Sequence, residues 1–260
     1  LQADGYQIHA STNKGYMLDS SSDVVSHEGI LPFLKEEYKN KEIIALKSVD
    51  STNTYAKSLA IKSPTASPII IANEQTDGRG RMGRRFFSPY DTGIYMSIVI
   101  RPDSSLNDAV LLTTAAATAV CRAIRKTSGL PVMIKWVNDI LISGKKLCGI
   151  LVESINDYTN MKSNSVIIGI GINLTSHPHS VPSTSLFEEG FSLSPEILCH
   201  SITKELISYA NKGFSFDEFF DEYKKRSVVL GREISYIKNG VCTDAVAESI
   251  DKQGGLIVRS

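Results

Sequence analysis

The 260-residue sequence has no excess charge of either sign and no long apolar run. Lysine plus arginine and aspartate plus glutamate both number 28, so no overall field attracts nucleic acid or an anionic membrane. The longest apolar stretch, residues 166–174, is interrupted by two glycines and is far shorter than the roughly 20 residues of a membrane span. Any affinity for polyanions must therefore come from local clusters, and we expect no membrane partner.

The sequence also has few cysteines, and they lie far apart. No two of them form a C-x-x-C pair, which argues against a zinc knuckle or a small disulfide scaffold, and no metal site is predicted. Separated cysteines without an opening signal peptide predict a reducing, cytoplasmic location. Hydrophobic residues make up 42% and charged residues 22% of the chain, a composition that excludes disorder for most of its length.

The pattern along the chain predicts three segments, with a linker between the first and the second. Residues 1–20 read as a hairpin, because residues 6–10 alternate, a polar turn follows and residues 15–18 return. A polar linker covers 20–26, and residues 27–229 alternate between strand and helix patterns, beginning with a short helix at 30–38. Residues 230–260 read as short strands of a small β-module that is cut short. Because the sequence begins at Leu1 rather than Met, we expect a piece of a longer protein.

Runs rich in Ile and Val predict the strands of the central segment, and apolar periodicity predicts its helices. The third helix should begin with Ser194 as N-cap and Pro195 in the first position, and the fourth with a capping box of Ser215 and Glu218. The predicted strands are 43–48, 68–74, 93–101, 132–136, 140–143, 147–153 and 165–174, and the predicted helices are 54–60, 108–127, 195–211 and 216–229.

The most unusual local composition lies at residues 78–85, G-R-G-R-M-G-R-R. Its glycines allow the backbone to approach a ligand closely, and its arginines can donate bidentate, charge-assisted hydrogen bonds to an anion. The spacing is not that of a P-loop, nor of a G-x-G-x-x-G turn that opens a helix. An anionic ligand is the natural partner, and the alternative is a solvated, flexible basic turn.

Other short segments allow two interpretations when each is taken alone. Residues 50–53, D-S-T-N, lie where a strand gives way to a helix and fit a simple N-cap. Lys145 and Lys146 precede a buried strand, where lysines usually face solvent. Gly169 and Gly171 leave one face of a strand bare, either for close approach of a backbone or for a packed helix.

Taken together, the order and the amino-acid sequences of these segments resemble those of the biotin–protein ligase family. The matching motifs are D-S-T-N, Q-x-x-G-R-G-R-x-G-R, K-W-x-N-D, K-L-x-G-I-L-V-E and G-I-G-I-N, in register from about Ile43 to Asn173. The resemblance implies an α/β (α+β) fold: a core like that of class II aminoacyl-tRNA synthetases, with a mixed sheet and helices on one side. A small SH3-like β-barrel would follow it. Lipoate–protein ligases share this fold, and a lipoate-type ligase stays an alternative.

The resemblance also implies site residues. Catalysis would use cations that face the biotin carboxylate and the α-phosphate of ATP, namely Arg79, Arg81 and Lys146. ATP would be held by Arg81, Arg84, Lys135, Asn138 and Asn173. Biotin would be held by Ser51, Thr52, Asn53, Gln75, Arg79, Gly80, Arg81, Lys146, Gly149, Gly169 and Gly171.

The implied reaction explains these residue types. A carboxylate must attack the α-phosphate of ATP, and cationic side chains together with Mg²⁺ would offset the repulsion between the two anions. The product, biotinyl-5′-AMP, hydrolyses readily, so a glycine-rich loop would exclude water until a lysine of a biotin carboxyl carrier protein takes the biotin. The second step needs positioning rather than an enzyme nucleophile.

The amino-terminal hairpin resembles the wing of the winged-helix domain in ligases that also repress a biotin operon. Its recognition helix would lie upstream of Leu1, so operator DNA would be bound only through a domain missing from this chain. We expect a bifunctional parent protein that forms a homodimer when it carries the adenylate. A monofunctional ligase with an unrelated hairpin is the alternative.

Overall fold

The computed structural model describes residues 7–12, 15–19, 42–101, 109–155, 165–175, 182–192, 194–238 and 240–260. The predicted linker at 20–26 and the predicted helix at 30–38 lie outside these ranges. The amino-terminal hairpin is confirmed: β1 (Ile8–Ser11) pairs antiparallel with β2 (Gly15–Leu18).

A seven-stranded mixed sheet forms the centre of the fold, and every strand predicted for the central segment is present. Its order is β3-β4-β5-β9-β8-β7-β6, with β3 and β4 parallel and all other neighbours antiparallel. A two-residue turn at Ser143 and Gly144, both with positive φ, joins two of the strands and lets β8 begin earlier than predicted. The strands are β3 (Ile43–Leu46), β4 (Ile69–Ala72), β5 (Gly93–Ile100), β6 (Met133–Lys135), β7 (Asp139–Ile142), β8 (Lys145–Ile155) and β9 (Ser165–Asn173).

Four α-helices accompany the sheet in the described residues: α1 (Thr52–Lys62), α2 (Ala109–Ser128), α3 (Pro195–Asn211) and α4 (Phe220–Arg226). Helix α2 is rich in alanine, a strong helix former, and its residues 111–121 are buried on all sides of the helix. Helix α3 begins with Pro195 in its first turn as predicted. Ser194 makes no backbone cap within the described ranges, because its hydroxyl bonds to the Glu196 carboxylate.

The predicted helix at 216–229 is wrong in its extent. It is divided into a single 3₁₀ turn at Phe216–Glu218 and the short helix α4. The predicted capping box does not form among the described residues, because the Glu218 carboxylate accepts a hydrogen bond from Lys212 at 2.6 Å. Beyond Arg226 the chain pairs with the sheet edge instead, since the Val228 N–H donates to the Ile134 carbonyl at 2.9 Å.

The expectation that the helices lie on one side of the sheet is also wrong. Helices α2, α3 and α4 cover what we call the aliphatic face, where β5 and β9 present alternate Ile and Met side chains. Helix α1 packs on the opposite side, against Ile70, Val99 and Ile167. We call this side the glycine face, because β8 and β9 present Gly149, Gly169 and Gly171 there.

The carboxyl-terminal module is a three-stranded antiparallel sheet of β10 (Glu233–Lys238), β11 (Val241–Ile250) and β12 (Leu256–Arg259), consistent with a small SH3-like module. The Asp251 carboxylate shapes its last turn by accepting the Gly255 N–H at 2.7 Å. The Gly254 carbonyl in that turn accepts the indole N–H of Trp136 at 3.0 Å. At Gly254, φ is +82°, and a Cβ would lie 3.1 Å from the Leu111 backbone, so glycine permits the close docking of the module on α2.

No helix in the described part of the chain is long and apolar enough to cross a membrane.

Candidate functional site

The start of α1, the arginine loop (residues 78–85) and the first residues of β8 meet over the glycine face. Val49 and Gln75 form a parallel bridge beyond the ends of β3 and β4, and Gln75 also bridges Ser88. These short pairings bring the beginning of α1 beside both arms of the loop. Segments predicted from separate sequence motifs therefore share one site.

Thr52 and Gln75, both in the predicted biotin-binding set, are in direct contact. The backbone N–H of Thr52 donates to Gln75 Oε1 at 2.9 Å, and Thr52 Oγ1 lies 3.1 Å from the same oxygen. Gln75 Nε2 donates to Ser88 Oγ at 2.9 Å. Ser51 is buried beside them at the N-cap position of α1. This corner of the site is a polar, hydrogen-bonded cluster of uncharged side chains.

The arginine loop is a small hairpin closed by its own backbone. The Gly80 N–H donates to the Arg84 carbonyl at 2.7 Å, and the Arg84 N–H donates to the Arg81 carbonyl at 3.2 Å. Met82 (φ 57°) and Gly83 (φ 72°) occupy the left-handed region at the tip, where Met82 is 90% exposed. The Gly80 amide, expected to wrap biotin, is therefore used within the loop itself.

Beneath the loop lies a pocket of about 420 Å³. It is lined by residues 77–85 together with Leu151 and Glu153 of β8. Burial of the Glu153 carboxyl group favours its neutral form, but hydrogen bonds from Lys57 and Asn53 outweigh this, and its pKa lies below the ordinary value. The pocket thus has cationic walls and contains two carboxylates, Asp77, which pairs with Arg85, and Glu153 on β8.

The predicted catalytic lysine lies at the other end of the loop. Lys146 Nζ is 2.8 Å from Asp139 Oδ1 and 6.0 Å from the centre of the Phe86 ring. Nearby, Asn138 Nδ2 donates to the Ile150 carbonyl at 3.0 Å, and Arg81 Nη1 lies 3.5 Å from Asn138 Oδ1. The K-W-x-N-D turn, the arginine loop and Lys146 are thus in contact. The Trp136–Val137 peptide bond in this turn is cis.

Phe86 is a site residue that the sequence analysis missed. Its ring lies on the glycine floor: a Cβ on Gly171 would be 2.4 Å from a ring carbon, and one on Gly149 would be 3.1 Å away. The ring also meets Tyr95 edge-on, with 6.5 Å between centroids. The sequence signal that could have identified Phe86 was an aromatic residue directly after the arginine loop, in a chain whose later motifs contain the strand glycines Gly149 and Gly171.

Asn53 and Gly169 have a different environment from the other predicted biotin-binding residues. Asn53 is 3% exposed, and a Cβ on Gly169 would lie 2.1 Å from its side-chain oxygen. Glycine at 169 therefore makes room for a side chain of α1. Of the two interpretations of the bare strand face, the packed helix applies at Gly169, whereas the Phe86 ring lies over Gly171.

The remaining residues of the predicted ATP set lie around the ends of β6 and β9. Asn173 is buried, and its Nδ2 donates to the Thr184 carbonyl at 3.0 Å and approaches the Lys146 carbonyl at 3.4 Å. Its Oδ1 has no hydrogen-bond partner in the described part of the chain, so it remains available as an acceptor. Lys135 and Arg84 are exposed at the rim.

The fold and the arrangement of the site agree with a class of ligases. The chain belongs to the Biotin/lipoate A/B protein ligase family, whose sequence pattern matches residues 45–173. A biotin–(acetyl-CoA-carboxylase) ligase from Paracoccus denitrificans is 30% identical over 227 residues, which cover 82% of this chain and 92% of that protein. The bifunctional ligase/repressor BirA of Bacillus subtilis is 38% identical over 182 residues, or 70% of this chain. The chain covers 55% of that relative, about half its length.

The fold is similar to that of a biotin protein ligase from Aquifex aeolicus, solved in complex with biotin and ATP. The TM-score is 0.67 at 25% sequence identity, over 84% of this chain and 91% of that protein. The likeness extends well beyond the segment that the family pattern matches.

Proposed function

We propose that this chain is an ATP-dependent biotin–protein ligase that forms biotinyl-5′-AMP and passes the biotin to a lysine of a biotin carboxyl carrier protein. One observation carries the proposal: the polar corner at Thr52 and Gln75, the glycine floor and the cationic loop lie beside one another on one face of the sheet. The pairing of Gln75 with Ser88 and the packing of the Phe86 ring over Gly149 and Gly171 bring these three parts together. The order matches a ligand with a polar head, an apolar body and an acidic end.

In this proposal the ureido head of biotin binds at Ser51, Thr52 and Gln75, whose hydroxyl and amide groups are neutral. The apolar part of the vitamin lies on the floor formed by Gly149 and Gly171, where Phe86 packs now. An uncharged polar end suits a ureido ring, because a buried charge there would be left without a counter-ion.

The carboxylate of biotin would then point toward Arg79, Arg81 and Lys146. One carboxylate oxygen attacks the α-phosphorus of ATP, a P–O bond forms, and the bond to the leaving pyrophosphate breaks. The cationic side chains stabilise the negative charge that accumulates as the two anions approach. Arg84, Lys135, Asn138 and Asn173 would hold the nucleotide, with Asn173 Oδ1 accepting a hydrogen bond from it.

We propose that Mg²⁺ accompanies ATP. The ranges given above contain no group of three or more His, Cys, Asp or Glu side chains that could form a protein cage for a metal ion. Such a cage is not needed, because Mg²⁺ commonly takes most of its ligands from phosphates and water. It would be held through the phosphates that Arg81 and Arg84 contact, and when bound it neutralises phosphate charge.

Transfer to the carrier lysine proceeds by direct attack of the amine on the acyl carbon, with AMP as the leaving group. No enzyme nucleophile is needed. Cys148 precedes Gly149 in β8 but does not supply one, because its side chain packs in the aliphatic face and burial raises the pKa of its thiol. Catalysis of this step rests on positioning and on exclusion of water.

The test is exchange of labelled pyrophosphate into ATP in the presence of biotin, with lipoate as the control substrate. We expect exchange with biotin only, and tight binding of biotin but not lipoate by isothermal titration calorimetry. Exchange that responds to lipoate alone, or no exchange with either acid, overturns the proposal.

A second function is favoured by the hairpin of β1 and β2 together with the relatives named bifunctional ligase/repressor. We propose that the chain consists of a winged-helix remnant (1–20), a catalytic domain (27–229) and a carboxyl-terminal module (230–260). The parent protein would be cytoplasmic, would dimerise when loaded with adenylate and would bind operator DNA. A chain extended upstream should bind that DNA in a salt-dependent manner when biotin and ATP are present, and lack of binding ends the repressor proposal.

A further inference from the structure

Strand β5 and the residue after it present alternate side chains to helix α1, and each of them meets a different part of the helix. Ser97 Oγ lies 2.7 Å from Thr52 Oγ1 at the beginning of the helix, and Val99 packs against small side chains in its middle. Arg101 reaches the far end, where its Nη2 donates to the Ala60 carbonyl at 3.3 Å. Four strand residues span about 13 Å and eight helical residues about 12 Å, so the strand and the helix keep in step along the contact.

Arg101 supplies hydrogen-bond donors that the sequence withholds from the end of α1. The Ala60 carbonyl would ordinarily accept the N–H of the residue four positions later, but that residue is Pro64, which has none. The guanidinium replaces it: Nη2 also donates to the Ser63 carbonyl at 3.0 Å, and Nε donates to the Ala66 carbonyl at 2.9 Å. A cation at the carboxyl end of a helix also interacts favourably with the helix dipole. One side chain thus closes the end of α1.

Arg101 is in turn held to the sheet on both sides. Its Nη1 donates to Ser165 Oγ, and Ser165 is the first residue of β9 and is buried. Its own backbone follows directly on β5, which is the neighbour of β9 in the sheet. The guanidinium therefore connects the end of α1 to two central strands.

The apolar contacts of α1 do not by themselves fix its position along the sheet. The buried apolar side chains that the helix contributes are Ala56 and Ala60, which lie on Ile70, Val99 and Ile167. Methyl groups form only shallow ridges, so these contacts oppose separation of the helix from the sheet more than they oppose sliding along it. The polar contacts at the two ends of the helix must therefore set its axial position.

We propose that Arg101 is a positioning residue that fixes α1 along the sheet and so places Ser51 and Thr52, at the opposite end of the helix, for biotin. The inference rests on the proposed function. A helix moves as a rigid element, so a displacement at Ala60 is passed on to Thr52. Such a displacement would draw the Thr52 N–H away from Gln75 Oε1, which it now holds at 2.9 Å.

The experiment uses two substitutions of Arg101 and measures biotin-dependent pyrophosphate exchange. Arg101→Met keeps most of the stem and removes the guanidinium, and we expect the KM for biotin to rise by about 10-fold with kcat within about 2-fold of wild type. The KM for ATP should also stay within about 2-fold, because the residues proposed to hold ATP do not lie on α1. Arg101→Lys keeps the charge but offers one nitrogen in place of three, and the KM for biotin should rise by about 3-fold.

Arg125→Met is the matched control. Arg125 is also a half-buried arginine that donates to a backbone carbonyl beyond the end of a helix, that of Val132 at 3.2 Å, but it belongs to α2 on the aliphatic side. Its loss should lower the free energy of unfolding and leave the KM for biotin within about 2-fold of wild type. An equal rise in KM in Arg101→Met and Arg125→Met would show that general loss of stability is responsible, and this overturns the inference.

Hydrogen exchange of the free chain gives a measurement that needs no ligand. In Arg101→Met the amides of residues 52–62 should exchange at least about 10-fold faster than in wild type, while those of α2 keep their wild-type rates. If Arg101→Met does not fold, Arg101→Lys provides the same comparison. An unchanged KM for biotin, or unchanged exchange in α1, overturns the inference about Arg101. If the wild-type chain neither binds biotin nor exchanges pyrophosphate, the proposed function has failed instead.

Discussion

The two faces of strand β9 present different kinds of side chain. Toward α2 and α3 the strand presents Ile168, Ile170 and Ile172, all buried. Toward the site it presents Gly169, Gly171 and Asn173. The two sets alternate residue by residue, so one strand of nine residues serves two purposes.

The difference shows where stability and chemistry are separated. Burying an isoleucine side chain contributes roughly 1.5–3 kcal/mol, whereas a glycine in a strand buries no side chain and costs backbone entropy. The aliphatic face therefore stabilises the sheet, and the glycine face leaves room for the Asn53 side chain, the Phe86 ring and, in the proposed function, the ligand. Substitutions on the aliphatic face should therefore change the free energy of unfolding, and substitutions on the glycine face should change biotin-dependent activity.

The largest effect is expected from Gly171→Val. A Cβ at this position would lie 2.4 Å from the Phe86 ring, so the new side chain fills the floor on which the ligand is proposed to lie. Biotin-dependent pyrophosphate exchange should fall by about 1000-fold, equivalent to about 4 kcal/mol. Ile170→Val, one residue away on the other face, should keep exchange within about 2-fold. Exchange by Gly171→Val within 5-fold of wild type would show that the floor is not used.

Ile168→Ala should have the opposite effect: it should lower stability and leave the KM for biotin nearly unchanged. This side chain is fully buried in the aliphatic face, and its removal leaves a cavity. Denaturant unfolding should show a loss of about 2–5 kcal/mol. The KM for biotin should change by less than 2-fold in the fraction that remains folded. A large change in KM with little change in stability would mean that the two faces are not separate.

Arg81→Ala sharpens the comparison within the glycine face. Arg81 approaches Asn138 across the site, whereas Arg85 on the same loop pairs outward with Asp77 at 3.1 Å. Release of biotinyl-5′-AMP should become about 10-fold faster in Arg81→Ala, while the affinity for biotin alone changes less. Arg85→Ala is the control and should release the adenylate at the wild-type rate. Equal release rates in both variants contradict the proposed role of Arg81.

The smallest effect concerns pH. The folded-state pKa of Glu153 lies below its ordinary value near 4.5, because bonds from Lys57 and Asn53 outweigh the effect of burial. Its contribution to stability is therefore complete above the unfolded pKa and is lost as the pH falls through the folded one. Both partners are partly exposed, so about 1 kcal/mol or less is expected.

The measurement for this prediction is the difference in free energy of unfolding between wild type and Glu153→Gln. The difference should be constant from pH 7 to about pH 5 and should shrink at lower pH. A difference that grows on acidification would show that Glu153 is neutral in the folded state.

The strands were predictable because their Ile and Val runs are buried on both faces of the sheet. The position of α1 was not, because its buried apolar contacts come largely from small residues, Ala56 and Ala60, which give a weak periodic signal. The break at Phe219 escaped prediction because it depends on packing against Tyr209 in α3, with 5.9 Å between ring centroids.

The prediction of the site was limited in the same way, by contacts between residues that are far apart in the sequence. The sequence motifs identified most of the residues that surround the site, because the residues of each motif are close together in the sequence. The Asn53 amide donates a hydrogen bond to Glu153, which is 100 residues away, and this contact could not be predicted from sequence spacing. Phe86 was missed because nothing in the sequence says whether its ring turns inward.

The hydrogen bond from Trp136 to Gly254 joins two parts of the chain that are 118 residues apart. Its donor belongs to the turn that also supplies Lys135 and Asn138, and its acceptor belongs to the carboxyl-terminal module. This hydrogen bond ties the module to the residues that are proposed to hold the nucleotide. A displacement of the module would therefore pull directly on the turn that contains Lys135 and Asn138.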